Sequence, residues 1–116
     1  MKTGFENLEV WKKSCVLCAE IYKYFRNNKD YGFKDQITRS SLSIPSNISE
    51  GYERSSKKEK HRFYTIARAS TGELRTQIMV GIKIDYIDKE VGSRWILETR
   101  ELSAMITGLM NSTNAQ

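Results

Sequence analysis

Apolar side chains recur at alternating steps of three and four residues through most of this chain, and a single proline interrupts them. That rhythm marks helices that each bury one stripe, and no stretch alternates convincingly enough for a strand. The first predicted helix runs from about Leu8 to Asn27, with Leu8, Trp11, Cys15, Cys18, Tyr22 and Phe25 as its seam. A second seam, Val10, Leu17, Ile21 and Tyr24, lies beside it. Together they span roughly 200° of the wheel, wider than one partner face needs, so self-association is expected.

The second predicted helix, about Phe33 to Arg54, holds the proline. Ile37, Ser41, Ile44, Ile48 and Tyr52 keep helical spacing on both sides of Pro45. An interior proline removes one donor and costs about 3 kcal/mol, which favours a break. The phase nevertheless passes through unchanged, so one helix kinked at Pro45 is predicted. Ser40, Ser41, Ser43, Ser46 and Ser49 are small enough for close helix approach, and their hydroxyls can reach backbone carbonyls.

Ser56-Lys57-Lys58-Glu59 fits a capping box that opens the third helix. Its inner face reads Phe63, Ile66, Ala67, Ser70, Leu74, Gln77, Ile78 and Gly81, and it ends near Tyr86. Asp88 is the expected cap of a fourth helix whose seam is Val91, Trp95, Leu102, Met105, Ile106 and Leu109, with a frayed tail over Asn111–Gln116. Long helices with short connections pack as antiparallel neighbours, so the fold class is all-α, an antiparallel up-down-up-down four-helix bundle filling residues 1–116 as one domain. A pivot at Ser55 pairs Ile48 with Phe63, Ile44 with Ala67 and Ile37 with Leu74, and predicts an Arg39–Glu73 ion pair.

The charge is local. Between Arg54 and Arg75 stand seven cations (Arg54, Lys57, Lys58, Lys60, Arg62, Arg68 and Arg75) against Glu59 and Glu73, a surplus equal to the whole chain's net charge of +5. On the third helix Lys57, Lys58, His61, Arg62, Arg68 and Arg75 fall opposite the predicted inner face, with only Lys60 off that stripe. Cations so short of acids repel one another, and some sit at a helix N-terminus where the dipole disfavours them. The expected ligand is a polyanion. Nucleic acid, RNA or DNA, bound through its backbone without sequence preference, is the first reading, with Arg54, Lys57, Lys58, His61, Arg62, Arg68 and Arg75 as the site. Tyr52, His61 and Tyr64 offer rings for stacking on unpaired bases. An acidic protein partner would use the same surface.

Other classes find little support. With one histidine, no glycine-rich phosphate loop and no Ser/His/Asp set, no enzyme is expected. Glu50, beside Asn47 and before Gly51, reads as a polar residue of the helix corner rather than a general base. Cys15 and Cys18 lie inside a helix and lack further ligands, so they read as two buried thiols, with no metal and no cofactor expected. The polar N-terminus resembles no secretory signal, and no apolar run reaches the ~18 residues of a membrane span, so a cytoplasmic protein is expected.

FENLEVWKK near the start, QITRSSLSIPSNISEGYERSSKKEKHRFYTIARAS in the middle and GELRTQI after it closely resemble a family of bacterial four-helix bundle proteins. That family includes proteins encoded in intervening sequences of large-subunit ribosomal RNA genes. It also includes the accessory variability determinants of diversity-generating retroelements. The resemblance covers about residues 5 to 110. It implies a bundle protomer in a basic five-fold ring, a homopentamer, and a helical Pro45 segment. In the retroelement branch it implies engagement of nucleic acid and a reverse transcriptase, which would make the chain an interaction scaffold. Matching positions include Arg39, Ser43, Pro45, Asn47, Glu50, Gly51, Arg54, Glu59, Phe63 and Arg68, while Ala69-Ser70 and Ser49 depart mildly from the pattern.

Overall fold

The computed structural model describes residues 4–113. A single 3-10 turn, Phe5–Asn7, leads into four helices: α1 (Glu9–Tyr24), α2 (Tyr31–Glu53), α3 (Lys57–Lys83) and α4 (Lys89–Thr113). No strand occurs among the described residues. Residues 114–116 of the expected frayed tail lie outside them, whereas Asn111–Thr113 are helical, which corrects that part of the prediction.

Local chemistry fixes most helix ends. Asp30 caps α2 by accepting the Phe33 amide at 3.1 Å, and Ser56 caps α3 by accepting that of Glu59 at 3.1 Å. Asp88 Oδ2 takes the amides of Glu90 and Val91 at 3.1 and 3.3 Å, opening α4 as predicted. The end of α3 comes earlier than the sequence suggested, at Lys83. There the Tyr86 amide returns to the Gly81 carbonyl and the Asp85 amide to that of Ile82, a Schellman closure with Asp85 at φ 64°.

α2 continues through Pro45, which is itself buried. Its small polar residues turn back onto the backbone. The Ser40 and Ser41 hydroxyls donate to the carbonyls of Ile37 and Thr38, and Asn47 Nδ2 donates to that of Ser43 at 2.8 Å. The serines also let α2 and α3 come together, with Ser43 and Ser70 hydroxyls bonded at 2.8 Å and Ser40 bonded to Gln77 Oε1.

The core is one cluster shared by all four helices, with Ile21, Phe25, Ile37, Ile48, Leu74, Ile78, Trp95 and Ile106 among its enclosed members. Burying each such side chain contributes about 1.5–3 kcal/mol. Partner numbers fall on one helix as they rise on the next. Ser40 and Ser43 meet Gln77 and Ser70, Arg68 and Arg75 meet Thr107 and Thr99, and Lys13 and Glu20 meet Glu101 and Arg94. This is the register of antiparallel neighbours.

Several expectations shift. At the α2–α3 corner Gly51, lacking a side chain, leaves room for Phe63 and Tyr64 beside it. Arg39 pairs with Asp35 at 3.2 Å, one turn away on its own helix, and not with Glu73, although both line one polar groove. Cys18 is buried and accepts the Ser41 hydroxyl at 3.5 Å, but Cys15 is only half-buried. Both thiols are pushed above their ordinary pKa, chiefly by desolvation. Ile66 is exposed, and the core takes Tyr64 and Thr71 instead.

Candidate nucleic-acid interface

The seven predicted site residues separate into three groups. Arg54 is neutralised. Its guanidinium is bonded to Glu50, lies 3.6 Å from Glu59 Oε1 and rests on the Phe63 ring, 4.7 Å from the centroid. It serves the corner between α2 and α3, and Glu50 is the corner residue predicted. Glu59 therefore turns to Arg54, while Ser56 supplies the cap bond to its amide. Arg54 is thus a corner residue, not an outward-facing cation.

The second group stands on the first turns of α3. Lys58, His61 and Arg62 line one open groove together with Glu59, and Lys57 precedes them. Lys58 and Arg62 are exposed and form no ion pair among the described residues, while Arg62 rests against Phe63 at 4.9 Å. Lys60, set apart from the stripe by its phase, has another task. Its ammonium donates to the Tyr52 carbonyl at 2.7 Å, where a cation meets the negative end of the α2 dipole.

Arg68 and Arg75 form the third group, seven residues apart on the flank of α3 that faces α4. Arg68 donates to Thr107 Oγ1 at 3.2 Å and Arg75 Nε to Thr99 Oγ1 at 3.0 Å. Both are half-buried, and neither meets a carboxylate among the described residues. The Arg75 pKa is lowered, first by desolvation and then by the nearby Arg100 charge. Arg100 was not predicted, because on sequence alone it belongs to the fourth helix and lies far from the basic run. Only the α3–α4 packing brings it there.

Of the rings proposed for stacking, Tyr64 is excluded, being enclosed beneath Gly51 with its phenol pushed up by burial. Tyr52 is half-buried with the Lys60 ammonium 5.5 Å from its centroid, and His61 retains partial exposure. No group of three or more His, Cys, Asp or Glu among the described residues is arranged to hold a metal. Nor is any described helix long and apolar enough to cross a membrane.

Among curated proteins none matches this chain. A solved structure of a protein of unknown function from the S23 ribosomal protein family of Bacteroides thetaiotaomicron VPI-5482 shares its fold, with a TM-score of 0.81. The two are 24% identical over 87% of this chain and 97% of that one. The 23S rRNA-intervening sequence protein model matches residues 6–108, within which lie the caps, the proline-bearing helix and the basic run; the chain belongs to that family.

Proposed function

We propose that this protein is a non-catalytic, self-associating nucleic-acid-binding protein that grips the sugar-phosphate backbone through the basic surface of α3. One observation carries the reading: Lys58, His61, Arg62, Arg68 and Arg75 enter no ion pair among the described residues, although acids pair with cations elsewhere on the surface. Surface cations kept apart from acids pay in mutual repulsion, which a polyanion relieves. RNA is the favoured strand of this proposal; the matching family takes its name from intervening sequences of 23S rRNA. Self-association, as a pentamer, belongs to the same proposal, and the exposed Val16 and Tyr22 on α1 are the surface offered for it.

The test is binding to RNA across a salt series. With ~4 phosphate contacts on a single strand, log affinity falls against log salt with a slope near −3. A Lys57→Glu, Lys58→Glu, Arg62→Glu variant should lose retention at low salt. Equal retention by that variant removes the proposal. The scaffold alternative, an acidic protein such as a reverse transcriptase on the same surface, predicts instead a pull-down that survives nuclease.

A further inference from the structure

We infer that the groove between α3 and α4 is a seat for one nucleic-acid strand, with Arg68, Arg75 and Arg100 as its phosphate contacts and Thr99 and Thr107 as positioning residues. This rests on the reading above and goes beyond it by naming a site and a strand form. The first ground is charge. Arg68 and Arg75 border the groove through their bonds to α4, no carboxylate pairs with them or with Arg100 among the described residues, and the Arg100 charge bears on Arg75. A half-buried arginine ordinarily meets an acid, since desolvation without compensation is unfavourable.

The second ground is preorganisation. Thr107 Oγ1 accepts from Arg68, and Thr99 accepts from Arg75 through its hydroxyl and, at 3.5 Å, its carbonyl. Neutral hydroxyls fix each guanidinium without consuming its charge. A guanidinium carries five N–H donors, so several remain for phosphate oxygens.

The third ground is room. Gly72 lies between Arg68 and Arg75 on the same flank, and Gly108 follows Thr107 on α4. A methyl group added at either would meet nothing within 4 Å. Glycine is, after proline, the least favourable residue in a helix interior, and packing inside the protomer requires neither of these two. Gly72 leaves open space beside Arg68 and Arg75 that an approaching backbone would fill, whereas Gly108 lies on the outer face of α4.

The form of the ligand follows from geometry. Arg68 and Arg75 are about 10.5 Å apart along the axis of α3, so they line the groove lengthwise. Packed helix axes lie about 8–10 Å apart, and the trough between them takes one backbone rather than a duplex. The exposed cations of Lys58 and Arg62 lie toward one end of this line and would draw the strand in.

The probe is a 20-nucleotide oligouridylate followed by fluorescence anisotropy, with its duplex with oligoadenylate as the second arm. Circular dichroism establishes that each variant is folded. Arg68→Gln, Arg75→Gln, Arg100→Gln should weaken strand binding at least tenfold more than Arg26→Gln, Lys29→Gln, Lys83→Gln, which removes the same charge elsewhere. Its salt slope should fall by about 2, at 0.7 per phosphate. Thr99→Val, Thr107→Val leaves the charge unchanged and should lower affinity severalfold. Gly72→Leu, a better helix former, should block binding by bulk.

Equal weakening by the two charge variants, with the wild type still binding, overturns the groove and leaves the general reading standing. So does a duplex bound as tightly as the strand. A change in sedimentation of nucleic-acid-free Gly72→Leu protein would make the groove a subunit contact, and also overturns it. A wild type that binds neither probe at low salt removes both this inference and the proposed function.

Discussion

Tyr86 donates its phenolic hydroxyl to Asp30 Oδ2 at 2.7 Å, joining the turn after α3 to the start of α2. Asp30 is also the cap of α2, so one carboxylate holds a helix end and a distant turn together. Close by, the Asp88 amide donates to the Tyr24 hydroxyl at 2.8 Å, which fastens the same end of the bundle a second time.

The Asp30–Tyr86 bond has a pH signature. The Tyr86 hydroxyl, then the Phe33 amide, holds the Asp30 carboxyl below its ordinary range. The same bond pushes the Tyr86 phenol above its ordinary value. A lowered acid contributes stability that is complete above the unfolded value, about 4, and is lost as pH falls through the folded one. A raised phenol contributes stability that is complete below about 10 and is lost as pH rises through its folded value. The bond therefore acts fully between those limits. Tyr86→Phe should narrow the stability gap to wild type at both extremes, and NMR titration should show the Asp30 pKa moving upward. An unmoved Asp30 would remove the coupling.

Two helix glycines should respond in opposite directions to alanine. A methyl at Gly51 would lie 2.7 Å from Tyr64 Cε1 and 3.2 Å from Phe63 Cβ, in the closest part of the α2–α3 corner. Gly51→Ala should destabilise by about 1–3 kcal/mol, as overpacking outweighs the gain in helix propensity. Gly72→Ala has open space and should stabilise by about 0.5–1 kcal/mol. Urea denaturation of the two variants measures both signs.

Asp85 takes the left-handed position that ends α3, with φ 64°. Aspartate tolerates that region better than most residues, yet glycine carries no Cβ penalty there. Asp85→Gly should raise stability by about 0.5 kcal/mol, whereas Asp85→Val should lower it by about 1–2 kcal/mol. Thermal melting distinguishes them.

Val16 is 61% exposed and Tyr22 44% exposed, though both are apolar side chains on α1. If α1 carries the subunit contact, Val16→Lys with Tyr22→Lys should convert the assembly to monomers without a loss of helicity. Analytical ultracentrifugation reads the outcome, and unchanged sedimentation would place the contact elsewhere.

The number of helices, their approximate spans, the caps at Ser56 and Asp88 and the passage through Pro45 were legible in the chain, because each rests on neighbours within a few residues. The apolar arc of α1 was legible too, but not which part of it faces inward. Val10, Leu17, Ile21 and Phe25 went into the core, whereas Tyr22 stayed exposed and Cys15 half-buried. That division depends on where α2 and α4 lie against α1.

For the candidate site the sequence determined a surplus of cations on one helix and little more. Packing decided which of them keep their charge available. Arg54 turned to Glu50 and Glu59, and Lys60 to the last carbonyls of α2. Arg68 and Arg75 turned to threonines of α4, and Arg75 came to lie near Arg100. Helical periodicity assigns a residue to a face, and local spacing alone encodes it. Whether a long charged side chain meets an acid, a carbonyl or open solvent depends on residues that are distant in sequence, so tertiary structure alone settles it.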